Sequence, residues 1–125
     1  MALAEATRDT FEKLVTESNF AIIDFWAPWC GPCRAFAPVF EQASEEHPDV
    51  TFIKVNTEEE TDLAAQFEIR SIPTLMIMRD QVIVYAEPGS LPAAGLKDLI
   101  EKARALDMAE VRREIAASAT DTPEP

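Results

Sequence analysis

The chain predicts an α/β fold: a central mixed β-sheet of four or five strands flanked by four helices, plus a short extra helix near the C-terminus. Three observations predict it. In the first half, apolar runs rich in β-branched and aromatic residues alternate with amphipathic segments, the pattern of parallel strands joined by crossover helices. In the second half, two short strands are separated by three residues, the pattern of an antiparallel hairpin. And 125 residues, 47% hydrophobic and 27% charged, suit one globular domain with a buried core.

Each element has a local reason. A short first strand can form near Leu3. Thr7 can cap a helix running to about Glu17, with Phe11, Leu14 and Val15 on one side. Residues 20–26, Phe-Ala-Ile-Ile-Asp-Phe-Trp, read as a buried strand. A helix is expected to begin at Cys33 and run to about Glu46, burying Ala35, Phe36, Val39, Phe40 and Ala43. Pro38 lies inside it and should kink it, because proline lacks the amide donor. Residues 50–55 form the next strand. Thr57-Glu58-Glu59-Glu60 fits a capping box that would open a helix ending near Phe67. Residues 74–78 and 82–86 are the hairpin strands, joined by Arg79-Asp80-Gln81. Pro88-Gly89 turns the chain into a helix from about Ala93, with Leu96, Leu99, Ile100, Ala103 and Leu106 on its apolar positions. Asp107 and Glu110 mark a fresh helix start, with Met108, Val111 and Ile115 as its apolar stripe. The expected organisation is a domain over 1–106, a helical extension over 107–117 and a disordered tail over 118–125.

Charge and hydropathy exclude several functions. With 23 acidic and 11 basic residues the formal net charge is −12, which repels nucleic acid and anionic lipid. No apolar run approaches the ~20 residues that span a bilayer. The start has no basic region followed by an apolar stretch. The expectation is a cytoplasmic protein, where isolated structural disulfides are rare.

The chemistry concentrates in residues 26–34, Trp-Ala-Pro-Trp-Cys-Gly-Pro-Cys-Arg, which hold both tryptophans and both cysteines. A closed structural zinc site needs four ligands; two cysteines and one histidine, His47, cannot supply them. His47, before Pro48 at a helix end, reads instead as a solvent-exposed residue favoured by the helix dipole. Redox chemistry fits better. Cys30 falls at a strand-to-helix junction, where unpaired amides and the macrodipole stabilise the thiolate that attacks disulfides. Pro32 suits the first helical turn. Cys33, three residues on, shares the helical face and can resolve a mixed disulfide on Cys30.

Trp29-Cys30-Gly31-Pro32-Cys33, with Asp24 in the strand before it and Ile72-Pro73-Thr74 after it, resembles the thioredoxin family. The likeness runs from about Thr7 to Leu106. It implies a thioredoxin fold and a protein-disulfide reductase working through a redox-active Cys30–Cys33 disulfide. It implies no cofactor of its own and no bound metal. Cys30 resembles the exposed nucleophile and Cys33 the buried resolving thiol. Trp29, Gly31, Pro32, Ile72, Pro73 and Gly89 resemble the substrate-binding surface, with Pro73 the family's cis-proline. Asp24 resembles the buried carboxylate behind the site, and Lys54 its neighbouring lysine. On the residues alone, Asp24 reads equally as an outward-facing strand residue, and Pro73 reads as an ordinary trans proline; the resemblance alone reverses the latter. The implied partners are an NADPH-dependent thioredoxin reductase and protein disulfides, for a monomer that binds neither nucleic acid nor membrane. Two departures stand out: the hairpin turn lacks the family's glycine, and residues 107–125 extend beyond a minimal member. A binding module or holdase of this fold, regulated by redox state but without turnover, is the alternative.

Overall fold

A computed structural model describes residues 3–121 of the chain. Ten elements follow in order: β1 (Leu3–Glu5), α1 (Arg8–Thr16), β2 (Phe20–Trp26), α2 (Gly31–Glu46), β3 (Thr51–Asn56), α3 (Thr61–Gln66), β4 (Thr74–Arg79), β5 (Val82–Pro88), α4 (Ala93–Arg104) and α5 (Met108–Asp121). The strands form one sheet in the order β1-β3-β2-β4-β5. β3 runs parallel to β1 and β2. β4 is antiparallel to β2 and to β5. The alternation and the hairpin in the sequence thus translate directly into a mixed sheet.

The period-two pattern of β2 sorts its side chains between two cores. Phe20 and Ile22 join Phe36 and Phe40 of α2 and Leu96 and Ile100 of α4 on one face. Ala21, Ile23 and Phe25 join Phe11 and Val15 of α1 and Leu63 of α3 on the other. Since both faces are covered, β2 is apolar throughout except for Asp24. That residue is fully buried, which settles the outward-facing alternative against itself.

Several local expectations need correction. α2 begins at Gly31, two residues before Cys33, because Cys30 serves as its N-cap. The capping box at Thr57 does not form. Thr57 stays tied to the sheet, its amide and hydroxyl donating to the Trp26 carbonyl oxygen at 2.8 and 3.0 Å. α3 starts only at Thr61, with Glu60 as N-cap. On α2, Ala35 is exposed while Ser44 is buried. His47 is buried rather than solvent-exposed: its Nδ1 lies 3.2 Å from Nη2 of Arg104, which also pairs with Asp49 at 2.9 Å.

The hairpin turn solves its missing glycine with two left-handed residues, Asp80 at φ 52° and Gln81 at φ 65°. The conformation matches the right-handed twist of the flanking strands. It is held from outside: the Asp80 amide donates to Asn19 O at 2.9 Å, and the Gln81 side-chain amide donates to Val15 O and Ser18 O at 3.2 and 3.0 Å. Asp107 caps α5 by accepting from the amides of Ala109 and Glu110. Met108 is buried, Val111 half-buried, and Leu106 and Ile115 are exposed. The expected apolar stripe of α5 is therefore buried at Met108 and progressively more open toward Ile115, and the Arg112–Asp80 ion pair at 3.0 Å ties the helix to the hairpin turn. The helix runs to Asp121, past the boundary expected at 117. The rest of the tail, 122–125, lies outside the described residues.

Candidate active site

The end of β2 delivers the chain to the head of α2, where Cys30 and Cys33 form a disulfide with Cα atoms 5.2 Å apart. Cys30 is the N-cap, in extended conformation, and its Sγ accepts from the Cys33 amide at 3.2 Å. Pro32, at the second helical position, has no amide to leave unpaired there. The bond across the cap is flanked by Arg34, whose Nη1 donates to Pro28 O at 3.1 Å. A sulfur at this position receives an orphan helix N–H and the positive end of the dipole, which favours thiolate when the bond is open.

Both sulfurs are more sheltered than the resemblance implied. Cys30 is 5% exposed and Cys33 2%. They pack with Ala27, and with the partly buried Trp26 and Ile72. Cys30 is thus not broadly exposed, only the more accessible of the pair. By contrast Trp29, beside it, is 64% exposed, and Gly31 and Pro32 are exposed on the rim.

Across from the disulfide, the Ile72–Pro73 peptide is cis. Cys30 Sγ lies 3.8 Å from Ile72 O. The loop is braced on both sides: Thr74 Oγ1 donates to Ser71 O at 2.6 Å, and the Gly89 amide donates to Pro73 O at 2.7 Å. Gly89 has φ 108°, where a side chain would be strained. Ile72 thus lies against Cys30, and the exposed Gly89 is tied to the buried Pro73 next to it. A separate cleft of about 240 Å³ lies beside this loop, bordered by Phe67, Ile69, Arg70, Ser71, Thr74 and Pro88.

On β2, before the strand's end, Asp24 is buried and has no hydrogen-bond partner for either carboxylate oxygen. Burial pushes its carboxyl up to about 7; the nearby Lys54 ammonium opposes this and Glu5 adds to it. Lys54 is the register neighbour of Asp24 on β3. Its Nζ stands 4.4 Å from the centre of the Trp26 ring, and no Lys54–Asp24 ion pair closes within 4.0 Å among the described residues.

Comparison with known proteins decides what this arrangement belongs to. A family model described as thioredoxin matches residues 2–102. The chain belongs to the thioredoxin family.

Among its relatives is a putative thioredoxin 2 of Streptomyces coelicolor, 55% identical over 112 residues, covering 90% of this chain and 84% of that protein. Thioredoxin 1 of Synechococcus elongatus is 45% identical over 105 residues, covering 82% and 98%. Among solved structures, a mutant thioredoxin of Halobacterium salinarum superposes with a TM-score of 0.78 at 29% identity, covering 84% of this chain and 93% of that one. The fold is the thioredoxin fold, and the cysteine pair at disulfide distance is a redox-active centre. The activity is that of a thiol–disulfide oxidoreductase reducing protein disulfides. A turnover-free binding module is not favoured. Membership also implies a thioredoxin reductase and disulfide substrates as partners. Among the described residues no helix is long and apolar enough to cross a membrane.

Three contacts at the site escaped the reading of the sequence. Thr57 anchors the Trp26 carbonyl, Thr74 braces the cis-proline loop, and Glu5 accepts the Trp26 indole N–H at 3.2 Å. Thr57 stood out only as a capping-box start and Thr74 only as part of Ile72-Pro73-Thr74; the carbonyls their hydroxyls donate to are not readable from the local sequence. Glu5 is visible only once β1 is paired to β3.

Proposed function

We propose that Cys30 opens the reaction and Cys33 closes it. The Cys30 thiolate attacks one sulfur of a target disulfide, forming a mixed disulfide and expelling one target thiolate. Cys33 then gives up its proton and attacks Cys30 Sγ, releasing the second target thiolate and leaving the Cys30–Cys33 disulfide. Two electrons pass to the target. The observation that carries this order is the cap: Cys30, not Cys33, sits where the helix presents its free N–H groups.

Asp24 takes the proton from Cys33, directly or through one water. It lies on the same sheet face as α2, and a carboxyl held near neutrality can accept and return a proton at working pH. Lys54 moderates its charge. The target's backbone lies along Ile72, Pro73 and Gly89, while Trp29, Gly31 and Pro32 contact its side chains. Electrons return through an NADPH-dependent thioredoxin reductase, in the cytoplasm, to a monomer.

The test is a coupled assay with insulin, NADPH and a bacterial thioredoxin reductase. Steady NADPH oxidation over many equivalents per chain is expected. One equivalent consumed, followed by a stable complex with insulin, would leave a binding module in its place.

A further inference from the structure

β1 pairs Glu5 with Lys54, and β3 pairs Lys54 with Asp24. The three residues thus occupy one row across the sheet, and side chains in one row point to the same face. Trp26 follows Asp24 by two residues and shares that face. It is the face covered by α2, whose first turn carries Cys33. Trp26 Nε1 donates to Glu5 Oε2 at 3.2 Å, and the Lys54 ammonium rests on the same indole. Glu5, at the sheet edge, therefore holds the ring on which the row's cation sits. The groups facing Glu5 are Trp26 from β2, Lys54 from β3, and Glu59 and Glu60 from the segment before α3. Those acting on Asp24 are Lys54 and Glu5. On the β4 side the row continues into uncharged Leu75.

We propose that Glu5 is a positioning residue of the exchange reaction: through Trp26 and Lys54 it fixes where the cation beside Asp24 stands, and so sets the pH range in which Asp24 can take the proton of Cys33. This rests on the reading of Asp24 as proton acceptor. Loss of Glu5 acts twice in one direction. Its own negative charge stops opposing ionisation of Asp24. Lys54, released from the ring and from its anionic neighbour, is free to turn toward carboxylate oxygens that have no other partner. Both effects favour the carboxylate, so Asp24 ionises at lower pH. Two strand spacings, about 10 Å, separate Glu5 from Asp24. Across an effective dielectric of about 20–80, one charge at that distance shifts the titration by roughly 0.3–1.2 pH units.

Two variants separate charge from positioning. Glu5→Gln keeps an acceptor for the indole and removes the charge; Glu5→Ala removes both. The Asp24 titration is read directly by carboxyl-carbon NMR on the reduced full-length chain, and the acid limb of kcat/KM for insulin reduction is followed alongside. The expected result is a downward shift of a few tenths of a pH unit or more in Glu5→Gln and a larger one in Glu5→Ala. The rate profile should follow, with no effect of either change in an Asp24→Asn background. An unmoved titration in both variants overturns the proposal. Equal shifts in the two overturn the positioning through Trp26. A lowered Tm without a moved titration reduces Glu5 to a structural residue, against the proposal. A titration that moves while the rate profile stays fixed overturns instead the acceptor role of Asp24.

Discussion

Replacing Asp24 by asparagine removes a buried charge without changing the shape of the side chain, and its effect on stability has a calculable pH signature. The carboxyl ionises near 3.8 in the ordinary case and at about 7 here, chiefly because burial disfavours the charged form. Between those values the folded chain holds a proton that the unfolded chain has released. Stability of the parent therefore falls as pH rises through this window, and the full loss is present above about pH 7. A shift of about three pH units corresponds to about 4 kcal/mol at most. The asparagine side chain introduces a buried amide short of partners, which costs about 1–3 kcal/mol. That cost applies at every pH. Toward the acid end, as pH falls below 3.8 and Asp24 becomes protonated in both states, the variant should fall below the parent by about 1–3 kcal/mol, the amide cost alone. Above pH 7 it should be more stable by roughly 1–3 kcal/mol, the remainder of the two opposing terms. Urea denaturation midpoints from pH 3.5 to 8.5, on the oxidised forms, measure the difference. Insulin reduction should meanwhile slow, toward or below the lower end of the roughly 10²–10⁴-fold that positioned proton transfer supplies. Parallel stability curves for parent and variant would refute the buried, late-titrating carboxyl, whatever the activity does.

Two further outcomes follow from the geometry. Trp29 adjoins Cys30 in sequence and Trp26 packs with the cysteine cluster, and a disulfide quenches nearby indole emission; reduction should raise fluorescence, whereas an unchanged spectrum would place the rings away from the sulfurs. Deleting residues from Asp107 onward removes Met108 from the core and exposes what α5 covers, which should cost about 2 kcal/mol and lower Tm by roughly 8 °C, with insulin reduction retained; an unchanged Tm would show that α5 contributes nothing by docking.

How far the sequence carried the fold can be seen at particular residues. β2 was legible in full because both its faces are buried, so seven residues stand out as one run. α1 was legible because Thr7 caps it and Phe11 and Val15 keep its period. The failures share a cause: a local motif competed with a tertiary partner distant in sequence. Thr57 has the pattern of a capping box, but the Trp26 carbonyl 31 residues away claims its hydroxyl. His47 has the look of an exposed helix end, but Arg104, 57 residues on, covers it. Ile115 keeps helical spacing with Met108 and borders a shallow groove with Ile83, Val84 and Leu106, yet it stays 49% exposed. The site divides in the same way. Cys30, Gly31, Pro32 and Cys33 lie in one short segment whose chemistry is local. Asp24 was identifiable as an interruption of an apolar run, but its burial required the sheet. Glu5 had no local signal, because its role depends on pairing between β1 and β3.

The central claim is the order of attack, and trapping the intermediate tests it most directly. Reduced chain carrying Cys33→Ser, mixed with a peptide disulfide and quenched in acid, should accumulate a mixed disulfide that peptide mapping places on Cys30. Reduced chain carrying Cys30→Ser should accumulate little or none and should not reduce insulin. An adduct that forms readily on Cys33 in the second variant and fails to form on Cys30 in the first would reverse the roles of the two cysteines and contradict the account.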